Sequence, residues 1–67
     1  MLNRLGKNIR RQRLKRHLTQ QQSANRYGCT LRWWQTMEQG TNISVTVLRK
    51  VGTVLNIPPH KLLMKQP

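Results

Sequence analysis

Residues that begin and end helices recur along the whole of this 67-residue chain. Thr19, Thr30 and Ser44 have side chains that cap the free amide groups at a helix start. Gly28 and Gly40 supply the left-handed conformation that commonly ends a helix. The pattern therefore predicts an all-α domain of short helices separated by tight turns.

Apolar spacing at helical periodicity supports five such segments. With their capping residues, they cover about residues 2–16, 19–27, 30–39, 44–55 and 59–64. The many β-branched residues of the fourth segment also fit a strand. We favour a helix, because the segment has about eleven residues, begins with a cap and has no hairpin turn near Lys50.

Positive charge dominates the composition of the chain. Lysine and arginine total 13, Glu38 is the only acidic residue, and the formal net charge is +12. A fold does not need this imbalance, since self-repulsion opposes compaction. Nucleic acid is therefore the first candidate partner, and an anionic membrane surface is the second. The basic residues of the first helix form either a solvated face or, in part, a DNA contact.

Several classes of protein are not expected. A chain of 67 residues should form one domain, residues 1–67, too small for a deep enzyme cleft. A single carboxylate cannot form an acid–base pair, so we expect no enzyme. We also expect no cofactor, and no pocket for a small-molecule effector in so short a chain. His17, Cys29 and His60 lack the paired spacing of metal ligands. The absence of a disulfide pair and an export signal predicts a cytoplasmic protein, and the absence of a long apolar run predicts no membrane span.

Two short helices that meet at Gly28-Cys29-Thr30 are the local pattern of a helix-turn-helix. Many residues around this turn match the positions of one family. They are Leu5, Gly6, Ile9, Arg10, Arg13, Leu18, Thr19, Gln20, Ala24, Gly28, Thr30, Trp34, Met37, Glu38, Gly40, Ser44, Leu48, Leu55, Ile57, Leu62 and Leu63. Over about residues 2–64 the chain resembles the Cro/CI-type helix-turn-helix regulators, which include phage repressors. The resemblance implies a compact five-helix, lambda-repressor-like domain with its helix-turn-helix at helices two and three.

Some residues depart from the pattern of that family. Ser23 stands where leucine is usual and Gln12 where an apolar residue is common, so both are expected to thin the core. His17 replaces a usual glycine, and Trp34 fills a slot that is usually β-branched. Trp34 and Met37 are nevertheless expected in the core, since they lie three residues apart on the inner side of the third helix.

The resemblance implies that the third helix, about residues 30–39, enters the major groove of double-stranded DNA. The positions that meet base edges in the family are Leu31, Arg32 and Thr36, with Trp33 beside them. Arg32 can donate two hydrogen bonds to guanine, whereas Leu31 suits a thymine methyl group and Thr36 can do either. Trp33 could pack against the sugar–phosphate backbone or against the protein.

The resemblance also implies phosphate contacts at two helix starts and in the loop after the third helix. The residues at these positions are Gln20, Thr30, Gln39, Thr41, Asn42 and Ser44. Arg13 and Glu38 are expected to form a structural ion pair that orients the third helix.

The function that follows is a transcriptional regulator, of repressor or controller type, that binds a specific inverted repeat as a homodimer. The expected dimer surface lies around the fifth helix, at Ile57, Leu62, Leu63 and Met64, although the same residues also suit the closure of the core. Two alternatives remain open from the sequence. One is an antitoxin that binds a partner protein as well as its operator, and the other is a membrane-active cationic protein.

Overall fold

The computed structural model describes the backbone of residues 2–63 and the side chains of residues 5–62. Within this part of the chain there are helices and no strands, so the all-α prediction is confirmed. The five helices are α1 (Leu2–Lys15), α2 (Gln20–Tyr27), α3 (Leu31–Gln39), α4 (Val45–Leu55) and α5 (Pro59–Leu63). The predicted end of the last helix at Met64 lies outside the described residues.

Local side-chain caps explain where three of these helices begin. The Thr19 hydroxyl accepts a hydrogen bond from the Gln22 amide at 3.0 Å, and the Gln22 side chain accepts one from the Thr19 amide at 2.8 Å. This reciprocal pair is the predicted capping box. The hydroxyls of Thr30 and Ser44 likewise accept an amide hydrogen bond from the residue three positions later. Caps therefore set the start of α2, α3 and α4.

The end of α1 is closed by a residue that is unusual at such a position. His17 adopts a left-handed backbone with φ of 57°. Its amide donates to the Leu14 carbonyl at 3.0 Å, and the Leu18 amide donates to the Arg13 carbonyl at 3.2 Å. Glycine enters this region without steric cost, which explains why the family in question usually has glycine here.

Every described helix contributes to one core. α1 packs against α3, α4 and α5, α2 packs against α3 and α4, and α4 packs against α5. Trp34 and Met37 are buried as predicted, and the ring of Tyr27 meets that of Trp34 edge-on at 6.3 Å between centroids. The other buried apolar residues are Ile9, Leu18, Ala24, Leu48, Val51, Leu55 and Leu62. The large indole of Trp34 therefore occupies the centre of a small core.

Polar side chains also enter this core. The Asn8 side chain donates to the Leu62 carbonyl at 2.7 Å and so links α1 to α5. Gln12 does not simply thin the core, because its side-chain oxygen accepts a hydrogen bond from Arg16 at 2.8 Å. The Ser23 hydroxyl is buried and has no hydrogen-bond partner among the described residues. An unsatisfied buried group of this kind costs about 1–3 kcal/mol.

Gly6 lies where α1 crosses the end of α3. A Cβ atom at this position would lie 2.8 Å from the backbone nitrogen of Gly40 and closer still to the Glu38 carbonyl oxygen. Real Cβ atoms essentially never approach backbone this closely. The absence of a side chain at Gly6 therefore lets α1 hold the C-terminal end of α3.

The molecule measures 27 × 22 × 18 Å along its principal axes. None of the helices among residues 2–63 combines the length and the apolar character that a membrane crossing requires.

Candidate nucleic-acid interface

α2 and α3 pack against each other and are joined through a three-residue turn, residues 28–30. Gly28 closes α2 with a left-handed backbone at φ of 88°, and Thr30 caps α3. One side of α3 faces the core through Trp34, Met37 and Glu38. The core thus holds α3 by its inner side and leaves the opposite side of the helix to solvent.

The outer side of α3 carries four polar side chains at helical spacing. They are Arg32, Gln35, Thr36 and Gln39. Positions separated by three, four and seven residues share one side of a helix, so these side chains point in a common direction. Gln35 was not among the sequence predictions, although its spacing from Arg32 could have identified it.

Arg32 has the freest side chain of the predicted base readers. It is exposed and makes no hydrogen bond with any described residue. The hydroxyl of Thr36 donates to the Arg32 carbonyl at 2.8 Å, so its proton is already in use. Thr36 therefore offers a lone pair and a methyl group, whereas Arg32 offers its full set of donors.

Leu31 and Trp33 are both half-buried. Leu31 lies in the first turn of α3, and Trp33 packs against the hydrophobic core. Of the two interpretations given above for Trp33, packing against the protein describes the larger part of its side chain. Only the remaining solvent-facing part of its indole is open to a partner.

Arg13 and Glu38 form the expected ion pair, with Nε of Arg13 2.5 Å from Oε2 of Glu38. Their side chains are only 8% and 4% exposed, so the pair is buried. A second guanidinium nitrogen of Arg13 lies 3.3 Å from Oε1, and a third donates to the Leu18 carbonyl at 2.7 Å. The guanidinium therefore fixes α3 to the end of α1.

Two further donors reach the same carboxylate. Gln20 donates from its side chain to Oε1 of Glu38 at 3.1 Å, and the indole nitrogen of Trp34 donates to Oε2 at 2.5 Å. We call Arg13, Gln20, Trp34 and Glu38 the Glu38 cluster. The only carboxylate side chain of the protein is thus shared by α1, α2 and α3, and it fixes these helices relative to one another.

Gln20 has more than one role in this arrangement. Its side-chain oxygen accepts a hydrogen bond from Gln35 at 3.2 Å, while one of its amide protons is committed to Glu38. The first two backbone amides of α2 and of α3 have no acceptor among the described residues. Free amides and the helix dipole favour an anion at these positions.

A groove of about 810 Å³ lies between the end of α1, the start of α2 and the outer part of α3. We call it the α1–α3 groove. Its polar lining residues are Arg10, Arg13, His17, Thr19, Gln20, Gln35, Glu38 and Gln39. Arg13 and Glu38 neutralise each other in this lining, so the exposed guanidinium of Arg10 leaves the groove with a net positive charge. The groove therefore favours a negatively charged ligand.

The loop that follows α3 carries the other predicted phosphate contacts. Asn42 and Ser44 are exposed and Thr41 is half-buried. The Ser44 hydroxyl accepts a hydrogen bond from the Val47 amide at 3.2 Å and keeps its own proton for donation. Like Thr30 at the start of α3, it can cap a helix and donate to a phosphate simultaneously.

The predicted dimer surface requires a correction. Leu62 is completely buried in the core of the single chain, so its side chain has no surface to offer a second copy. Ile57 is half-buried against the same core. The side chain of Leu63, and Met64 as a whole, lie outside the described residues. Leu62 is fully buried because α5 closes the core against α1 and α4.

Among the described residues, no three histidine, cysteine or acidic side chains are close enough to hold a metal ion. Burial raises the pKa of the Cys29 thiol, and the positive charge of Lys50 only partly opposes this shift. The thiol is therefore mostly neutral near pH 7, the form that is a poor nucleophile and metal ligand.

Residues 4–63 match a family model described as a helix-turn-helix domain. The match contains α2, the turn, α3 and the Glu38 cluster, and it extends into α5. A comparison with curated proteins finds no match.

Proposed function

Because the chain belongs to the helix-turn-helix domain family, we propose that it binds double-stranded DNA sequence-specifically, with α3 in the major groove. The observation that carries this proposal is the two-sided character of α3. Its inner side is fixed by the core and the Glu38 cluster, whereas its outer side presents Arg32, which has no hydrogen-bond partner among the described residues. A rigid helix with free polar side chains is what base recognition in the major groove requires.

Base recognition depends mainly on Arg32 in this proposal. Its guanidinium can donate two hydrogen bonds to O6 and N7 of guanine, which discriminates against other bases by about 1–3 kcal/mol. Thr36 accepts a hydrogen bond from adenine or cytosine, or contacts thymine through its methyl group. Leu31 and the solvent-facing part of Trp33 supply apolar contacts. Gln35, supported by Gln20, is an additional reader or backbone contact.

Phosphate contacts set the register of the protein on DNA. The free amides at the starts of α2 and α3 donate hydrogen bonds to phosphate oxygens of the DNA. The hydroxyl of Thr30 donates to a phosphate of the DNA strand that the start of α3 contacts. Gln39 at the end of α3, and Thr41, Asn42 and Ser44 in the loop that follows, extend this contact. The net charge of +12 makes the binding strongly dependent on salt.

We further propose that the whole chain is one Cro/CI-type regulatory domain, which represses transcription by occupying DNA and performs no catalysis. Two features support this subtype: the buried pair of Arg13 and Glu38, and the left-handed backbone at the position of the usual family glycine. Two copies would bind an inverted repeat with half-sites about 34 Å apart. With Leu62 buried, the dimer contact is formed around Ile57.

Arg32→Ala should abolish the preference at one base pair of each half-site. The expected loss of discrimination there is about 5- to 150-fold, the equivalent of 1–3 kcal/mol. Competition binding with duplexes that differ at single base pairs measures this directly. Arg26→Ala is the matched control, because Arg26 is also exposed, has the same charge and lies at the far end of α2. An Arg32→Ala protein with an unchanged base preference would show that another residue reads the sequence.

A further inference from the structure

The solvent side of α1 carries a cluster of positive charge that takes no part in the DNA contacts proposed above. Lys7, Arg10, Arg11 and Lys15 surround Leu14, and we call these five residues the α1 outer face. The four basic side chains are exposed and make no hydrogen bond or ion pair with any described residue. Leu14 is 51% exposed at their centre.

The spacing of these charges works against the helix that carries them. Lys7, Arg11 and Lys15 follow one another at intervals of four residues, and like charges at this spacing destabilise a helix. No acidic side chain is available to relieve the repulsion, because Glu38 is the only acidic residue and is saturated with donors in the core. An external anion would relieve it.

The α1 outer face is continuous with the candidate nucleic-acid interface. Arg10 and Leu14 line both this face and the α1–α3 groove, which also contains Gln20 at the start of α2. A polyanion that occupies the groove can therefore continue over α1 without crossing an acidic surface. From Lys7 to Lys15 the helix rises about 12 Å, the length of three to four base pairs.

We propose that the α1 outer face binds the sugar–phosphate backbone of DNA flanking the half-site that α3 reads, an inference that rests on the proposed function. The four basic side chains contact phosphates of the flanking DNA, and contacts to the sugar–phosphate backbone position a protein without reading the base sequence. Leu14 packs against deoxyribose. One apolar side chain among four charges buries too little area to hold α1 in a membrane, so DNA is favoured over an anionic bilayer.

A triple variant tests the inference, with Lys7, Arg11 and Lys15 each replaced by glutamine. Its affinity, and that of the unchanged protein, is measured over a range of salt concentrations on duplexes of about 16 and 30 base pairs with the same central inverted repeat, the shorter just long enough for two half-sites. For the 30-base-pair duplex, the slope of log affinity against log salt should fall by about 2–3 in magnitude, because each phosphate that the protein neutralises contributes about 0.9 to the slope. On the shorter duplex, which contains the half-sites but lacks the flanks, the two slopes should agree.

The matched control replaces Arg26, Arg49 and Lys61 by glutamine, since these three basic residues are also exposed but lie on α2, α4 and α5. This variant has the same net charge as the test variant, so it corrects for general electrostatic attraction and for duplex end effects. Circular dichroism establishes that all three proteins are folded. The control should retain the slope difference between the two duplexes that the test variant loses.

Three results would overturn the inference. Equal slopes for the test and control variants on the longer duplex would show that α1 does not touch the flanking DNA. An equal fall on both duplexes would place the α1 contacts within the half-site. Loss of binding to vesicles of phosphatidylserine and phosphatidylcholine, with unchanged slopes on DNA, would assign the face to a membrane. Failure of the unchanged protein to bind either duplex would instead refute the proposed function itself.

Discussion

Glu38→Gln is expected to lower the free energy of unfolding by about 3–5 kcal/mol, the cost of breaking a buried ion pair. The substitution keeps the shape of the side chain but removes the charge that balances Arg13. Glutamine also has one acceptor oxygen, whereas the carboxylate accepts from Arg13, Gln20 and Trp34. The NH2 group of the glutamine side chain cannot accept a hydrogen bond, yet it would lie against donor groups that now bond to the carboxylate. The effect should therefore exceed that of a surface substitution.

A domain of this size has a total stability of about 3–10 kcal/mol, so the variant should be partly or largely unfolded at room temperature. Urea denaturation followed by tryptophan fluorescence measures the change, because Trp34 is buried in the native protein. Gln39→Ala is the control on the same helix, since Gln39 is exposed. Its effect should stay within about 0.5 kcal/mol. A Glu38→Gln protein as stable as this control would mean that the cluster does not hold α3.

Gly6→Ala is expected to destabilise the protein by about 1–3 kcal/mol or more, the usual range for overpacking. The added methyl group would meet the backbone of Glu38 and Gly40, which cannot rotate away as a side chain can. α1 would have to move off the end of α3. This movement would also disturb Arg13, which α1 supplies to the Glu38 cluster.

The sign of the change in stability caused by Gly6→Ala shows whether packing or helix propensity dominates at this position. Alanine is a better helix former than glycine, so propensity alone predicts a gain of about 0.5–1 kcal/mol for Gly6→Ala. Thermal and urea unfolding of the variant, compared with Lys7→Ala at the next, exposed position, give the sign directly. A more stable Gly6→Ala protein would contradict the close approach of α1 and α3.

Helix bounds could be predicted well because they depend on neighbouring residues. Thr19 and Gln22 are three residues apart, and Gly28 ends α2 through its own backbone. Such interactions need no knowledge of the rest of the fold. The pairing of Arg13 with Glu38 joins distant residues, yet it was also expected. The resemblance supplied both positions, and only one acidic residue was available to pair.

Contacts between distant polar residues could not be predicted in the same way. The bond from Asn8 to the Leu62 carbonyl, and that from Gln35 to Gln20, depend on how whole helices pack. The same limit explains the error at Leu62, whose spacing fits a dimer surface and a core equally well. The intramolecular packing of α5 decided between them. Gln12 is a different case, because its partner Arg16 lies only four residues later and this contact could have been predicted from helical spacing.

Selection of bound sequences from a random pool of duplexes, with the unchanged protein at moderate salt, tests the central claim most directly. We expect enrichment of an inverted repeat that contains guanine in each half-site, with the half-sites about one helical turn apart. Enrichment of no sequence, although the protein binds duplexes through its charge, would contradict the proposal that α3 reads bases.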